Sequence, residues 1–233
     1  MRIGCVIVKD FKRPERDLVD AFDGVAVANL DDCMNRISAV HEAIRPMNKS
    51  RLLGTAFTVK VPEGDNLMFH AAMDLAKPGD VIVIDAGGNT RRSIFGELMV
   101  NYCRMRGIAG IVVDGSVRDV DTISGLTDFA VYARGITPDG PYKNGPGEIN
   151  TPIVCGGRAV KPGDIVLGDE DGVIFVRPEE ASELLEKVKK IKATEEKIME
   201  TMETEGTYIR PWVDQKLEAL GVEYIDFLEE AGK

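Results

Sequence analysis

KPGDVIVIDAGGNTRRSIFGELMVNYCRMRGIAGIVVDGSVRDVD, residues 77–121, decides the reading of this chain. Two apolar β-type runs, residues 81–85 and 109–114, flank a helical run. Each β-type run ends in a Gly-containing loop with polar and charged residues. In open α/β sheets ligands gather beyond the carboxyl ends of strands. That rule groups Gly87, Gly88, Glu97, Arg118 and Asp119 as one expected site. An adjacent Arg–Asp pair at a strand end serves two needs: the guanidinium grips a carboxylate or enolate, and the carboxylate holds a hard cation.

Outward from that stretch, the same pattern continues. Leu52–Lys60 reads as a strand, residues 66–76 as a helix with Leu67, Met68, Ala71, Ala72 and Leu75 at helical spacing, and residues 129–132 as another strand. Upstream, residues 13–23 read as a first helix, residues 25–28 as a short strand, and the chain from Asp31-Asp32 toward Ile37 as a second helix. Residues 137–157 are rich in Gly and Pro and hold short strands at best. KPGDVIVID at 77–85 recurs as KPGDIVLGD at 161–169. A Pro-Gly turn before a buried strand explains both copies without a duplication, and a β-rich core with helices on one side follows. Residues 178–205 form a long Glu/Lys-rich helix, with Pro178 at its start and Gly206 just past its end. Leu184, Val188, Ile191, Ile198 and Met202 make a seam along it, and the seam position between Ile191 and Ile198 is Glu195. Two readings stay open for Glu195: a solvated or salt-bridged seam position, or a carboxylate delivered to a site. The tail beyond residue 210 holds Trp212 and one or two short helices. The domain reading is 1–177 for the catalytic domain and 178–233 for a helical extension packing on it or on a neighbouring subunit.

The bulk numbers exclude several classes. With 233 residues the chain can bury a large core. A formal net charge of −10 argues against a nucleic-acid partner held through phosphates. An acidic substrate is compatible only where cations concentrate locally, as Arg91, Arg92, Arg118, Arg134 and Arg158 near loops allow. Cys5, Cys33, Cys103 and Cys155 form no CxxC pair and read as reduced, buried thiols, which with only two histidines makes a structural zinc site unexpected. The apolar run at residues 3–8 is short and broken by charge, so neither a leader nor a membrane span is expected, and the expected compartment is the cytoplasm.

Chemistry concentrates near Ser93. A helix is expected to begin there, with Ile94, Leu98, Tyr102 and Met105 as its buried stripe. Its first turn includes Gly96, Glu97, Leu98 and Met99; free N–H groups at a helix start bind carboxylates, and Gly96 would let a ligand, or a packed strand, approach. Glu97 alone would be an ordinary first-turn acid; it gains interest because Asp119 could share a metal with it. DAGGNT lacks both the GxGxxG and the phosphate-loop Lys-Ser/Thr patterns, a methyltransferase turn is absent, and no Gly-x-Ser-x-Gly elbow occurs. His41 and His70 read as structural or surface residues. Without an evident His or Lys base, metal-assisted chemistry becomes the more attractive reading.

GDVIVIDAGG, FGELM, RGIAGIVVDGSVRD, ARGITP, GPGEIN and KPGDIVLGDEDGVIFV, in that order across roughly residues 13 to 200, resemble the RraA-like group. That group includes 4-hydroxy-4-methyl-2-oxoglutarate/4-carboxy-4-hydroxy-2-oxoadipate aldolases and regulators of ribonuclease E. Some members carry a demethylmenaquinone methyltransferase label, which these residues do not support. The resemblance implies an α/β fold of the β/β/α swivelling-domain type, as one domain with a long C-terminal helix, assembled as homotrimers or homohexamers with sites between subunits. The aldolases show an acidic residue, twenty positions, then Arg-Asp; Glu97 and Arg118-Asp119 meet that spacing, with glutamate where aspartate is usual.

By this resemblance Asp119 binds Mg²⁺ or Mn²⁺, with Glu97 helping through water. Arg118, Gly96 and the backbone N–H groups of Leu98 and Met99 hold the pyruvate part of the substrate. A glutamate from a neighbouring subunit's C-terminal helix completes the site, Glu195 first and Glu196 second. The implied activity is metal-dependent cleavage of a 4-hydroxy-2-oxo diacid to pyruvate, with oxaloacetate decarboxylation alongside. The regulators tend to lack the aspartate after the arginine, so Asp119 favours the lyase. A protein-binding regulator, and a lyase or hydratase acting on another oxo-acid, are the alternatives.

Overall fold

The computed structural model of the chain describes residues 3–226. The elements run β1 (Cys5–Ile7), α1 (Arg16–Asp20), α2 (Val27–Cys33), β2 (Arg45–Pro46), β3 (Leu52–Lys60), α3 (Leu67–Leu75), β4 (Asp80–Asp85), β5 (Ser93–Phe95) and α4 (Glu97–Met105). There follow β6 (Gly110–Val117), α5 (Val120–Ser124), β7 (Ala130–Ile136), β8 (Gly147–Ile149), β9 (Ile153–Cys155), β10 (Arg158–Val160), β11 (Ile165–Asp169), β12 (Gly172–Val176), α6 (Pro178–Glu205) and α7 (Pro211–Leu220). Two compact units result, one through Lys189 and one from Lys190 on. Among the described residues no helix is long and apolar enough to cross a membrane.

The first unit is built on β3, β4, β6 and β7, four neighbouring strands paired in parallel. Parallel neighbours need crossovers, and α3, α4 and α5 lie in the three connections between them. Their sequences look uniformly apolar because both faces are covered, yet the period of two is intact inside them. Phe57, Ile82, Ile84, Ile111, Val113 and Val131 join the core that also holds residues of α3 and α4. Ala56, Val81, Val83, Val112, Ala130 and Tyr132 join the opposite core, with Ile153, Cys155 and Val160 of the β9–β10 hairpin. Each such buried aliphatic side chain is worth about 1.5–3 kcal/mol relative to exposure. The helices of this unit lie on one side, as the sequence led us to expect: Ile165 and Leu167 of β11 stand opposite Thr55 and Leu53 of β3 and so share the face of Phe57, while the β9–β10 hairpin covers the other. A third core gathers Val19, Val27, Leu30, Ala181, Leu184, Leu185 and Val188 of α1, α2 and α6 against Ile165, Leu167, Ile174 and Val176 of β11 and β12.

Both KPGD turns are closed in the same way. Asp80 is fully buried and accepts the Lys77 N–H at 2.8 Å while Arg13 reaches it through Nε at 2.8 Å and Nη2 at 2.6 Å. Asp164 accepts the Lys161 N–H at 2.7 Å and pairs with Arg177. The echo is therefore a turn-closing carboxylate with an imported arginine.

Several local expectations are corrected. The first helix covers only Arg16–Asp20, because Arg13 is drawn out to Asp80. Residues 25–28 do not form a strand: α2 begins at Val27, whose N–H is capped at 2.9 Å by Asp169, and Val27 and Leu30 are buried at helical spacing. That helix stops at Cys33, since Asn35 and Arg36 adopt left-handed conformations and Asp31 turns back to accept the N–H groups of Ser38 and Ala39. Cys5 is exposed and Cys33 partly so, whereas Cys103 and Cys155 are buried. Burial pushes the Cys103 thiol up to about 12, so it stays protonated.

The long helix runs over Pro178–Glu205 and is ended by Gly206 at φ +66°. Its buried residues Ala181, Leu184, Leu185 and Val188 lie in the first unit. In the second unit Ile191, Ile198 and Met202 stay half-exposed, Glu195 and Glu196 are exposed, and α7 has no buried residue.

Removing one partner of a buried pair strands the other charge and typically costs about 3–5 kcal/mol. Asp80→Asn is accordingly expected to lower stability by about 3 kcal/mol in urea unfolding, with the N–H cap weakened as well. A midpoint equal to that of the native chain would show that the Arg13 pair is dispensable.

Candidate functional site

The site assembles where α4 starts. Residues 93–95 are not helical: Ser93–Phe95 is the short strand β5, paired in parallel with the end of β6, and the Ile94 carbonyl accepts Asn66 Nδ2 at 2.8 Å. Gly96 is extended, and α4 begins at Glu97. The expected buried stripe is therefore displaced. Ile94 is buried as a strand residue, but Leu98 and Met105 are 84% and 86% exposed and Tyr102 is 39% exposed, while Val100 and Cys103 face the core. Moving the helix start to Glu97 turns its other face inward.

Asp119 closes this helix from outside. It sits in the left-handed region at φ 59°, ψ 37°, immediately before α5. Such a conformation is uncommon for a residue with a side chain, though Asp tolerates it better than most. Its Oδ2 accepts the Glu97 N–H at 3.0 Å, and the Arg118 N–H donates to the Phe95 carbonyl at 3.1 Å. Gly96 supplies the room: a Cβ there would lie 2.2 Å from Asp119 Oδ2 and 2.9 Å from Arg118 Cγ. Among the described residues no acceptor meets the N–H groups of Leu98 and Met99. The positive end of α4 thus keeps two open donors beside the Asp119 carboxylate.

A cleft of about 220 Å³ opens here, and Gly96, Leu98, Met99, Arg118 and Asp119 all line it. Arg118 and Asp119 are each nearly half exposed and stand 3.7 Å apart, Nε to Oδ2. Glu97 directs its carboxylate toward Thr122, with Oγ1 to Oε2 at 3.5 Å. Gly87 and Gly88 do not line the cleft. Side chains at those positions would instead meet Glu63 and the Asp114–Arg134 pair, so the two glycines serve the turn after β4.

The cleft is also lined by residues that the sequence did not single out for chemistry: Asn66 and His70 from the start of α3, and Pro141 and Lys143 from the loop before β8. Asn66 Oδ1 is buried and finds no hydrogen-bond partner among the described residues. Burial, and then the nearby Lys143 charge, push the His70 pKa below its ordinary value. The imidazole is neutral near pH 7 and able to accept a proton. The one sequence hint was that His70 lies on the same helix face as Asn66; the 137–157 segment offered no periodicity with which to place Lys143.

Among the described residues no three His, Cys, Asp or Glu side chains converge as a metal cage. Glu195 and Glu196 lie in the second unit.

The comparisons with known proteins agree with this architecture. A family model described as RraA-like, aldolase/RraA, matches residues 16–175. This chain belongs to the RraA-like family. A protein of Halalkalibacterium halodurans named "Putative 4-hydroxy-4-methyl-2-oxoglutarate aldolase" is 39% identical over 183 residues, covering 78% of this chain and 87% of its own length. The solved structure of Streptomyces coelicolor RraAS2, described as an unusual member of the RNase ES inhibitor RraA protein family, superposes with a TM-score of 0.71 at 26% identity. It covers 79% of this chain and 97% of that one. An uncharacterized protein from Pseudomonas syringae has the same fold, with a TM-score of 0.75 at 24% identity over 85% of this chain and 98% of its own.

Gly96→Ala tests the cradle directly. The added methyl is expected to displace the Asp119 carboxylate and break its bond to Glu97 N–H. A crystal structure reads the displacement, and thermal unfolding a stability loss of about 1 kcal/mol, the size of a lost helix cap. An unmoved Asp119 would mean the backbone yields instead.

Proposed function

We propose that the chain is a divalent-metal-dependent aldolase that cleaves a 4-hydroxy-2-oxo diacid, of the 4-hydroxy-4-methyl-2-oxoglutarate type, to pyruvate. The observation that carries the reading is the convergence of Arg118, Asp119 and two open helix N–H groups on one cleft. The name of the Halalkalibacterium halodurans relative supports it.

Asp119, with Glu97 reaching through water, would hold Mg²⁺ or Mn²⁺. Such hard cations take few carboxylates and retain several waters, and the carboxylate that Gly96 makes room for is a donor of that kind. Bound there, the ion supplies Lewis-acid stabilisation of negative charge on the oxo-acid oxygens. The chain's own groups do the rest. The N–H groups of Leu98 and Met99 bind the substrate's carboxylate at the positive end of α4. Arg118 adds a planar fork to the same end and favours the charge that grows as the enolate forms. In the cleavage direction the 4-hydroxyl loses its proton and the C3–C4 bond breaks. The far fragment leaves with a new carbonyl, the bonding pair becomes the pyruvate enolate, and C3 is then protonated. The neutral imidazole of His70 is an acceptor for the hydroxyl proton. Oxaloacetate decarboxylation passes through the same enolate and is the proposed side activity.

The proposal includes a homotrimer or homohexamer in the cytoplasm, in which Glu195 of a neighbouring subunit joins the site. The half-exposed seam of Ile191, Ile198 and Met202 around Glu195 supports a partner for this face. A protein-binding regulator is the second reading, favoured by the description of the Streptomyces coelicolor relative; the Arg118–Asp119 pair in the cleft favours the enzyme.

Metal removal is the decisive test. EDTA is expected to abolish pyruvate release from 4-hydroxy-4-methyl-2-oxoglutarate, and Mg²⁺ or Mn²⁺ to restore it; full activity after stripping would overturn the mechanism. In the same titrations Glu195→Gln should weaken Mg²⁺ affinity while size-exclusion chromatography shows an intact oligomer, and unchanged affinity would remove Glu195 from the site.

Arg118→Lys keeps the charge and loses the fork. Because the lost contact strengthens with the developing enolate, kcat should fall on the order of 10²-fold. A near-normal kcat would take Arg118 out of the chemistry.

A further inference from the structure

Lys143 lines the same cleft as Arg118, on a loop that the rest of the protein holds firmly. Its flanking residues are both pinned. The Tyr142 N–H donates to the Gly64 carbonyl at 2.8 Å and the Tyr142 carbonyl accepts the Asn66 N–H at 3.0 Å. On the other side, one carboxylate oxygen of Asp65 accepts the N–H of Asn144 at 2.6 Å and of Gly145 at 3.1 Å. The other oxygen of Asp65 takes the Leu67 N–H at 2.9 Å, so a buried carboxylate is committed to fixing this loop to the start of α3. Arg92 adds bonds of 2.9 Å to the Gly140 carbonyl and to the Tyr142 hydroxyl, and lies 4.2 Å from the Tyr142 ring centroid.

An exposed lysine is ordinarily a solvated charge of little consequence. Three observations set this one apart. It lines the cleft that holds Arg118 and Asp119. The chain carries 39 acidic against 29 basic residues, yet among the described residues no carboxylate pairs with Lys143. Its charge is felt inside the cleft, where it helps hold the neighbouring His70 neutral. With His70 neutral, Arg118 and Lys143 outweigh the charge of Asp119 among the residues lining the cleft. Two cations in one small cleft fit a ligand with two anionic groups.

We propose that Lys143 is a specificity-determining residue, whose ammonium, aimed by the clamped loop, receives the distal carboxylate of a dicarboxylic 2-oxo-acid bound at Arg118. This assignment rests on the proposed function for the orientation of the ligand. It identifies which group separates diacids from monoacids, a distinction that Arg118 and the α4 N–H groups, all at one end, cannot make.

Binding of two five-carbon probes in the presence of Mg²⁺ tests it without turnover: 2-oxoglutarate, which has the distal carboxylate, and 2-oxopentanoate, which lacks it. Isothermal calorimetry on the full chain should show the diacid preferred by about tenfold, the size of one charge-assisted contact, and the preference should shrink as salt is raised. In Lys143→Met the ratio of the two Kd values should fall toward one, whereas Lys143→Arg should keep it. Equal affinities in the native chain, or an undiminished preference in Lys143→Met, would overturn the assignment. A preference that is present and lost in Lys143→Met, alongside no pyruvate release from any 4-hydroxy-2-oxo acid, would sustain Lys143 and sink the aldolase reading alone.

Discussion

One hydrogen bond organises the functional end of this protein: Asp119 Oδ2 to the Glu97 N–H, made across the space that Gly96 leaves open. It joins the loop after β6 to the first turn of α4, segments 22 residues apart in the chain. A helix start must find partners for its free N–H groups or leave them to solvent or ligand. Here one is satisfied by a side chain from elsewhere and the next two remain open among the described residues. The same contact fixes Asp119 in its left-handed conformation and brings Arg118 beside it. The Asp119 carboxylate, the open N–H groups and the Arg118 guanidinium therefore come from one arrangement and not from three separately placed elements.

The contact belongs to a wider habit of the chain. Asp31, Asp65, Asp80, Asp164 and Asp169 all accept backbone N–H groups at turns or helix starts. Short carboxylate side chains compete well for local N–H groups and so stabilise irregular backbone. Part of the acidic excess is thus structural. Where those acids carry an arginine, as at Asp80 and Asp164, the positive charge is consumed in the scaffold. Arg118 and Lys143 differ in facing a cleft, which makes that cleft locally cationic in an acidic protein.

The two units also differ in their relation to solvent. The first has three apolar cores around its strands, and the early turns of α6 contribute to one of them. The second leaves Trp212, Ile209 and Leu220 well exposed and buries no residue of α7.

The strands of the central sheet and both ends of α6 were legible in the sequence, because a doubly covered strand needs a continuous apolar run and a helix of that length needs Pro178 and Gly206 at its ends. The spacing of Glu97 and Arg118-Asp119 was legible too, since those residues lie on consecutive strand–helix units. Tertiary structure decided the rest. Pairing with β6 made a strand of Ser93–Phe95, shifted the start of α4 and exposed Leu98, Tyr102 and Met105. Capping by Asp169 made a helix where residues 25–28 read as a strand. His70 and Lys143 entered the cleft only because Asp65 and Asn66 tie α3 to a loop some 75 residues further on, about 80 residues apart at the Asp65–Gly145 bond. Sequence pattern reports the periodicity of neighbours along the chain; a bond between distant segments leaves no period behind, so only the folded chain reveals it.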